Sequence, residues 1–164
     1  MTTAYFSYHF AQDAVRASAA RRVMGLEADE PISPVAWEEL GYGGENAVTR
    51  WVAERLRGKE CVVVLIGAQT SLRKWVRYEI KEAWESGRGI IGIDVHQLLD
   101  NRGKPGKPGK NPFEQFAYGG VNLATLIKVH QPLGDTQEER LAHIAANAQI
   151  WANNAIAARR VPVS

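Results

Sequence analysis

Only one cysteine stands in this chain of 164 residues, so no disulfide can close within it. Cys61 lies in an apolar run, where a buried thiol is the bland reading. An excess of charge is lacking too: 20 Lys and Arg face 18 Asp and Glu, a formal net charge of +2. Nucleic-acid binders usually carry a denser basic stripe, so nucleic acid is not expected as a partner. Long hydrophobic runs are also missing. The longest, Cys61 to Ile66, is far too short to cross a bilayer, which excludes a membrane partner on this reading. No basic-then-apolar signal pattern opens the chain, and no internal repeat is visible. What remains is an ordinary globular composition at a length that suits one compact domain. The expectation is a soluble, cytoplasmic single domain over residues 1–164.

Three short apolar runs fit buried strands: Ala4 to Phe10, Cys61 to Ile66 and Gly89 to Val95. The second is β-branched and continuous, as in a parallel strand covered on both faces. Leu126 to Val129 reads as a further short strand and Pro34 to Trp37 as a weak one. Helical patterns fill the gaps at 13–24, 46–56 and 75–84. A long final helix spans about 136–160, opened by the capping-box pair Thr136 and Glu139 and closed by Arg159 and Arg160. Alternating strands and helices predict an α/β fold: a doubly wound, mainly parallel five-stranded sheet with helices on both faces. Ligands bind such sheets at the carboxyl ends of their strands. Asn101 to Asn111, rich in Gly, Pro and Lys, reads as an exposed, solvated loop.

The helix after the Val-rich strand is the informative one. Advancing about 100° per residue from Trp75 places Leu72, Val76, Ile80 and Ala83 on one arc, with Trp75 at its edge. Glu79 falls inside that arc. An inward carboxylate is expensive unless something pairs with it or a cleft exposes it. One reading is structural, a Glu79 bound to a backbone amide or to an arginine such as Arg16. The other is functional, since carboxylates perturbed by burial are enriched at active sites. Trp75 is open in the same way, as core or as site. His9 and His96 fall near strand ends and are either cleft-lining or simply packed. Trp37 reads as core packing.

Several stretches resemble a known family. Phe6-Ser7-Tyr8 on the first strand is similar to the opening of Toll/interleukin-1 receptor (TIR) domains. Thr70 to Ile80, with Trp75 and Glu79 at a spacing of four, resembles the segment that holds the catalytic glutamate of NAD-cleaving TIR domains. Phe6 to Phe10, Val64 to Gly67, Arg73 to Ile80, Ile93 to His96 and Gly109 to Phe113 more narrowly resemble the TIR-like family that includes ThsB of the Thoeris anti-phage system. These stretches lie in the family's order across residues 4–115. The final helix carries no diagnostic motif.

The resemblance implies a flavodoxin-like, TIR-like fold and breakage of the nicotinamide–ribose bond of NAD. In ThsB-like members it also implies a cyclic ADP-ribose-type signal. Glu79 is then the catalytic residue, with Phe6, Ser7, Tyr8, His9, Trp75 and Asn111 binding substrate. NAD is the substrate, with no tightly bound cofactor and no metal. The family expectation adds self-association, a phage-derived activator and a downstream effector reached through a diffusible nucleotide. A different class of function stays open, a catalytically silent TIR-like module that signals by self-association. A phosphoacceptor reading fails, because the strand ends carry Ser7-Tyr8-His9 and Gly67-Ala68-Gln69 where acidic residues are needed. Nor is Phe10-Ala11-Gln12 a flavin phosphate loop.

Overall fold

The structure, a computed structural model, describes residues 2–160. The chain opens with strand β1 (Ala4–Ser7) and helix α1 (Phe10–Met24), followed by helices α2 (Pro34–Tyr42) and α3 (Gly44–Leu56). Strand β2 (Cys61–Ile66), helix α4 (Lys74–Glu85) and strand β3 (Gly89–Asp94) form the middle. A small antiparallel ribbon, β4 (Ala117–Tyr118) with β5 (Val121–Asn122), precedes strand β6 (Val129–His130) and helix α5 (Gln137–Arg160).

The main sheet has the order β1-β2-β3-β6 and is parallel throughout. Every residue of β2 is buried, as its β-branched run requires of a central strand covered on both faces. One face carries α1 and α5, whose Ala17, Ala20, Ala148 and Ala152 pack against Val63, Leu65, Ile91 and Ile93. Small side chains let these helices approach closely. Gly89 marks the limit: a Cβ there would sit 2.7 Å from the backbone nitrogen of Ile156 on α5. The other face carries α3 and α4, which bury Val48, Val52, Leu56, Val76, Ile80 and Ala83 against Val62, Val64 and Ile66.

The main sheet has four strands, not five. Pro34 to Trp37 is the start of α2 and not a strand: the Ser33 hydroxyl accepts from the Ala36 amide at 3.1 Å, and Pro34 sits at the first helical position, where its missing N–H costs nothing. The fifth strand's place beside β1 holds only a parallel bridge between Thr3 and Glu27. Leu126 to Val129 is likewise mostly not strand. The Asn122 carboxamide accepts from the Ala124 amide at 2.9 Å and holds Leu123–Thr125 in a 3₁₀ turn, so pairing begins only at Val129. The first strand ends at Ser7, and α1 starts at Phe10, earlier than expected. The Thr136 hydroxyl accepts from the Glu139 amide at 3.2 Å, while the Glu139 carboxylate accepts from the Asp135 amide at 2.9 Å. Among the described residues no helix is long and apolar enough to cross a membrane.

Between β1 and β2 the chain first turns outward to Glu27 and then returns to the opposite side of β1. The carboxyl end of β1 is therefore the point where the winding reverses, which is where such sheets leave a crevice.

Candidate functional site

Alternation along β1 sends Tyr5 and Ser7 to the same face, two residues apart. That face meets α4, where Val76, Glu79, Ile80 and Ala83 are all buried. Glu79 is only 6% exposed. The Tyr5 hydroxyl donates to its Oε2, and the Ser7 hydroxyl donates to Oε1 at 2.8 Å. One strand thus supplies a donor to each carboxylate oxygen. Burial pushes the Glu79 carboxyl up to about 7, against the opposing pull of these two donors. Burial and the adjacent carboxylate raise the Tyr5 hydroxyl well above its ordinary value, so it stays a proton donor.

Arg16 is not the partner of Glu79. Its guanidinium pairs with Asp13 at 3.0 Å, donates to the carbonyls of Leu98 (2.8 Å) and Lys104 (3.1 Å), and lies 3.8 Å from Asp100. Among the described residues, no cation pairs with the buried carboxylate of Glu79.

A cleft of about 520 Å³ opens over Glu79 at the carboxyl end of β1. Its wall is an unbroken series of aromatic contacts: Tyr8 stacks on Phe10, Phe10 meets Trp37, Trp37 meets Trp51 edge-on, and Trp51 meets Tyr5. Trp75 stands opposite on the first turn of α4, its ring edge-on to Tyr78 at 5.6 Å. Such walls supply apolar area and π faces without stripping polar atoms of partners. The cleft also gathers Arg21, Arg55, Arg73 and Lys74. Arg21 lies over the Phe6 ring at 4.6 Å. The arrangement suits a ligand with flat rings, a polar sugar and negative charge.

Phe6, Tyr8, His9, Trp75 and Glu79 all line this cleft, and Ser7 stands behind Glu79 as its hydrogen-bond donor. Asn111 lies outside it. Its side chain accepts from the Phe113 amide at 2.9 Å and starts the 3₁₀ turn Pro112–Gln115. His96 is also elsewhere, its backbone amide and ring Nδ1 both against Asp94 Oδ1, in a smaller cavity shared with Asp13 and Arg16. Burial, aided by the charge of Arg73, lowers the His9 imidazole below its ordinary range. Among the described residues no group of three or more His, Cys, Asp or Glu could hold a metal ion.

Trp37, read from the sequence as core, lines the cleft, because the Ser33-Pro34 helix start brings it one turn into α2. Leu72, placed on the buried arc, is 58% exposed. It belongs to the 3₁₀ turn Thr70–Leu72, whose phase differs from that of α4. Tyr5, Trp51 and Arg73 were not singled out from sequence. Tyr5 had a signal, since it shares the strand face of Ser7, and Arg73 opens one of the family-like stretches; Trp51 had none.

The comparisons with known proteins bear on this geometry. Residues 5–100 match the family model described as "Thoeris protein ThsB, TIR-like domain". A protein of Bacillus cereus (strain MSX-D12), named "Putative cyclic ADP-D-ribose synthase ThsB1", is 32% identical over 141 residues, covering 82% of this chain and 73% of the relative. The matched span runs from the β1 residue that donates to Glu79, through α4, to the end of β3 and beyond. The chain belongs to the TIR-like domain family of the Thoeris protein ThsB.

Proposed function

We propose that this protein breaks the bond between nicotinamide and ribose in NAD and closes the ADP-ribose into a cyclic signal, as an enzyme of bacterial anti-phage defence. The observation that carries the reading is the Glu79 carboxylate, buried beneath an aromatic cleft and held at both oxygens by Tyr5 and Ser7. The printed name of the Bacillus cereus relative points to the same product class.

The chemistry needs only one carboxylate. Nicotinamide in NAD is cationic and leaves as a neutral molecule, taking the electron pair of the C–N bond, so no general acid has to protonate it. Ordinary glycoside hydrolysis, by contrast, uses a carboxylate pair. Positive charge develops on the ribose, and Glu79 stabilises it from a fixed position in a low-dielectric site. A nucleophile elsewhere on the ADP-ribose then attacks the anomeric carbon and releases a proton, giving the cyclic product. Water in its place gives the linear one. Trp75 and Tyr8 offer faces to the rings. Self-association, a phage-derived activator and a downstream effector that senses the nucleotide complete the proposed setting.

Nicotinamide release and product mass should be followed with purified protein and with extracts of expressing cells, before and after phage infection. Release of nicotinamide with a cyclic product supports the reading. No release in any arm favours a silent interaction module. Because Glu79 acts as an anion, kcat/KM for nicotinamide release should climb with pH and level off above about 7. A profile flat from pH 5 to 8 would contradict the role given to Glu79.

A further inference from the structure

The cations at the start of α4 stand where a helix least favours them. The helix begins with Arg73 at the N-cap, then Lys74, and has no acidic residue in its first turn and no side-chain cap. The positive end of the helix dipole and these cations therefore repel one another. Lys74 is answered by Glu45 on α3. The other cleft arginines are engaged too: Arg55 lies 3.7 Å from Asp29, and Arg21 donates to the Asp29 carbonyl at 2.7 Å. Arg73 differs. Among the described residues its guanidinium has no ion pair or hydrogen bond, and its Nε is buried without a partner.

Facing it is the start of α1. His9 is the N-cap there, it makes no side-chain cap either, and its Nδ1 is likewise buried and unpartnered. Two helix starts, neither with a side-chain cap, line the same cleft. Uncapped helix starts leave backbone amides free for an anion, and an unpaired guanidinium beside them adds fixed charge and planar donors.

We propose that Arg73 and the first turn of α4, facing His9 and the first turn of α1, form the subsite that holds the diphosphate of a dinucleotide. The proposal rests on the NAD reading and places the main phosphate contact at Arg73, with the first turn of α1 beside it. Spacing supports it. From Arg73 to Glu79 the helix rises by about 9 Å, enough for one sugar between a phosphate at one end and a scissile anomeric carbon at the other. Trp75 comes between them along the chain and lines the same cleft. The order along α4, cation then aromatic then carboxylate, follows the order diphosphate, ribose, glycosidic bond along the substrate.

Calorimetric titration with inorganic pyrophosphate and with ADP-ribose tests this on the wild type, Arg73→Gln and Arg73→Lys. Both ligands should bind the wild type, lose at least 10-fold in affinity in Arg73→Gln and recover in part in Arg73→Lys. Nicotinamide, which carries no phosphate, should bind all three alike. Arg73 has no protein partner to lose, and circular dichroism of the same samples checks that each variant is folded. Unchanged ADP-ribose affinity in Arg73→Gln overturns the proposal even if NAD is cleaved, as does failure of the wild type to bind either ligand at millimolar concentration. Arg73-dependent binding of both ligands without NAD cleavage in any arm keeps the subsite and removes the NAD-cleaving reading.

Discussion

Glu79→Gln will slow nicotinamide release by on the order of 10²–10³-fold, while its melting temperature holds or rises. The change keeps the shape and leaves Tyr5 and Ser7 with a polar partner, but it removes the charge that would face the developing ribosyl cation. No buried cation loses its counter-charge, because Arg16 is occupied by Asp13 and Asp100. Stability should respond to pH in a defined sense. The carboxyl titrates near 4.5 without the protein environment and near 7 within it. Between these values the folded chain holds a proton that the unfolded chain has released. The contribution of Glu79 to stability is therefore complete below 4.5 and lost as pH rises through 7. The Gln variant does not titrate, so its thermal advantage over the wild type should grow across that window and stay flat above it. Activity and melting curves on one preparation decide the matter. Retained activity would remove Glu79 from the chemistry, and a marked loss of stability at neutral pH would make its charge structural.

Arg16→Ala should be the most damaging change outside the cleft. Arg16 is 4% exposed and Asp13 1% exposed, and the guanidinium ties α1 to the segment after β3 through Leu98, Asp100 and Lys104. Removing one member of a buried pair typically costs about 3–5 kcal/mol, because the other charge is left without compensation. That is a large share of the stability of a small domain. The untethered loop should also open to protease, with faster trypsin cleavage after its exposed Arg102 and Lys110, the two loop cations not followed by proline. A double change, Asp13→Asn with Arg16→Met, should regain much of the loss. Denaturant unfolding within about 1 kcal/mol of wild type for Arg16→Ala, with unchanged cleavage, would show that the pair does not hold the loop.

The legible parts of this fold were those that local patterning determines. A continuous β-branched run announced β2, and the phase of α4 put Glu79 inward among Val76, Ile80 and Ala83. Patterning misled where a side chain captured the backbone. Ser33 made a helix start of what reads as a β-rich tetrapeptide, and Asn122 made a turn of an expected strand. The partners of Glu79 were hidden for another reason. Which donor meets a buried carboxylate depends on how β1 sits against α4, and Tyr5 and Ser7 lie more than seventy residues from Glu79 in sequence. Arg16 was the plausible cation by composition, yet tertiary packing gave it to a different loop. Arg73 was legible only as the head of a family-like stretch, because what distinguishes it is a missing partner.

Helix α2 forms part of the cleft wall but buries none of its residues fully. It leans on the molecule mainly through Trp37, against Phe10 and Trp51, and through half-buried Leu40. With so little apolar area committed, its amides should exchange with solvent through local opening at a free energy well below that of global unfolding. A ligand seated on Trp37 would suppress that opening, and part of its binding energy would go into holding the helix in place. Occupancy should therefore register as slowed amide exchange in α2, a helix that contains neither Glu79 nor any of its hydrogen-bond partners.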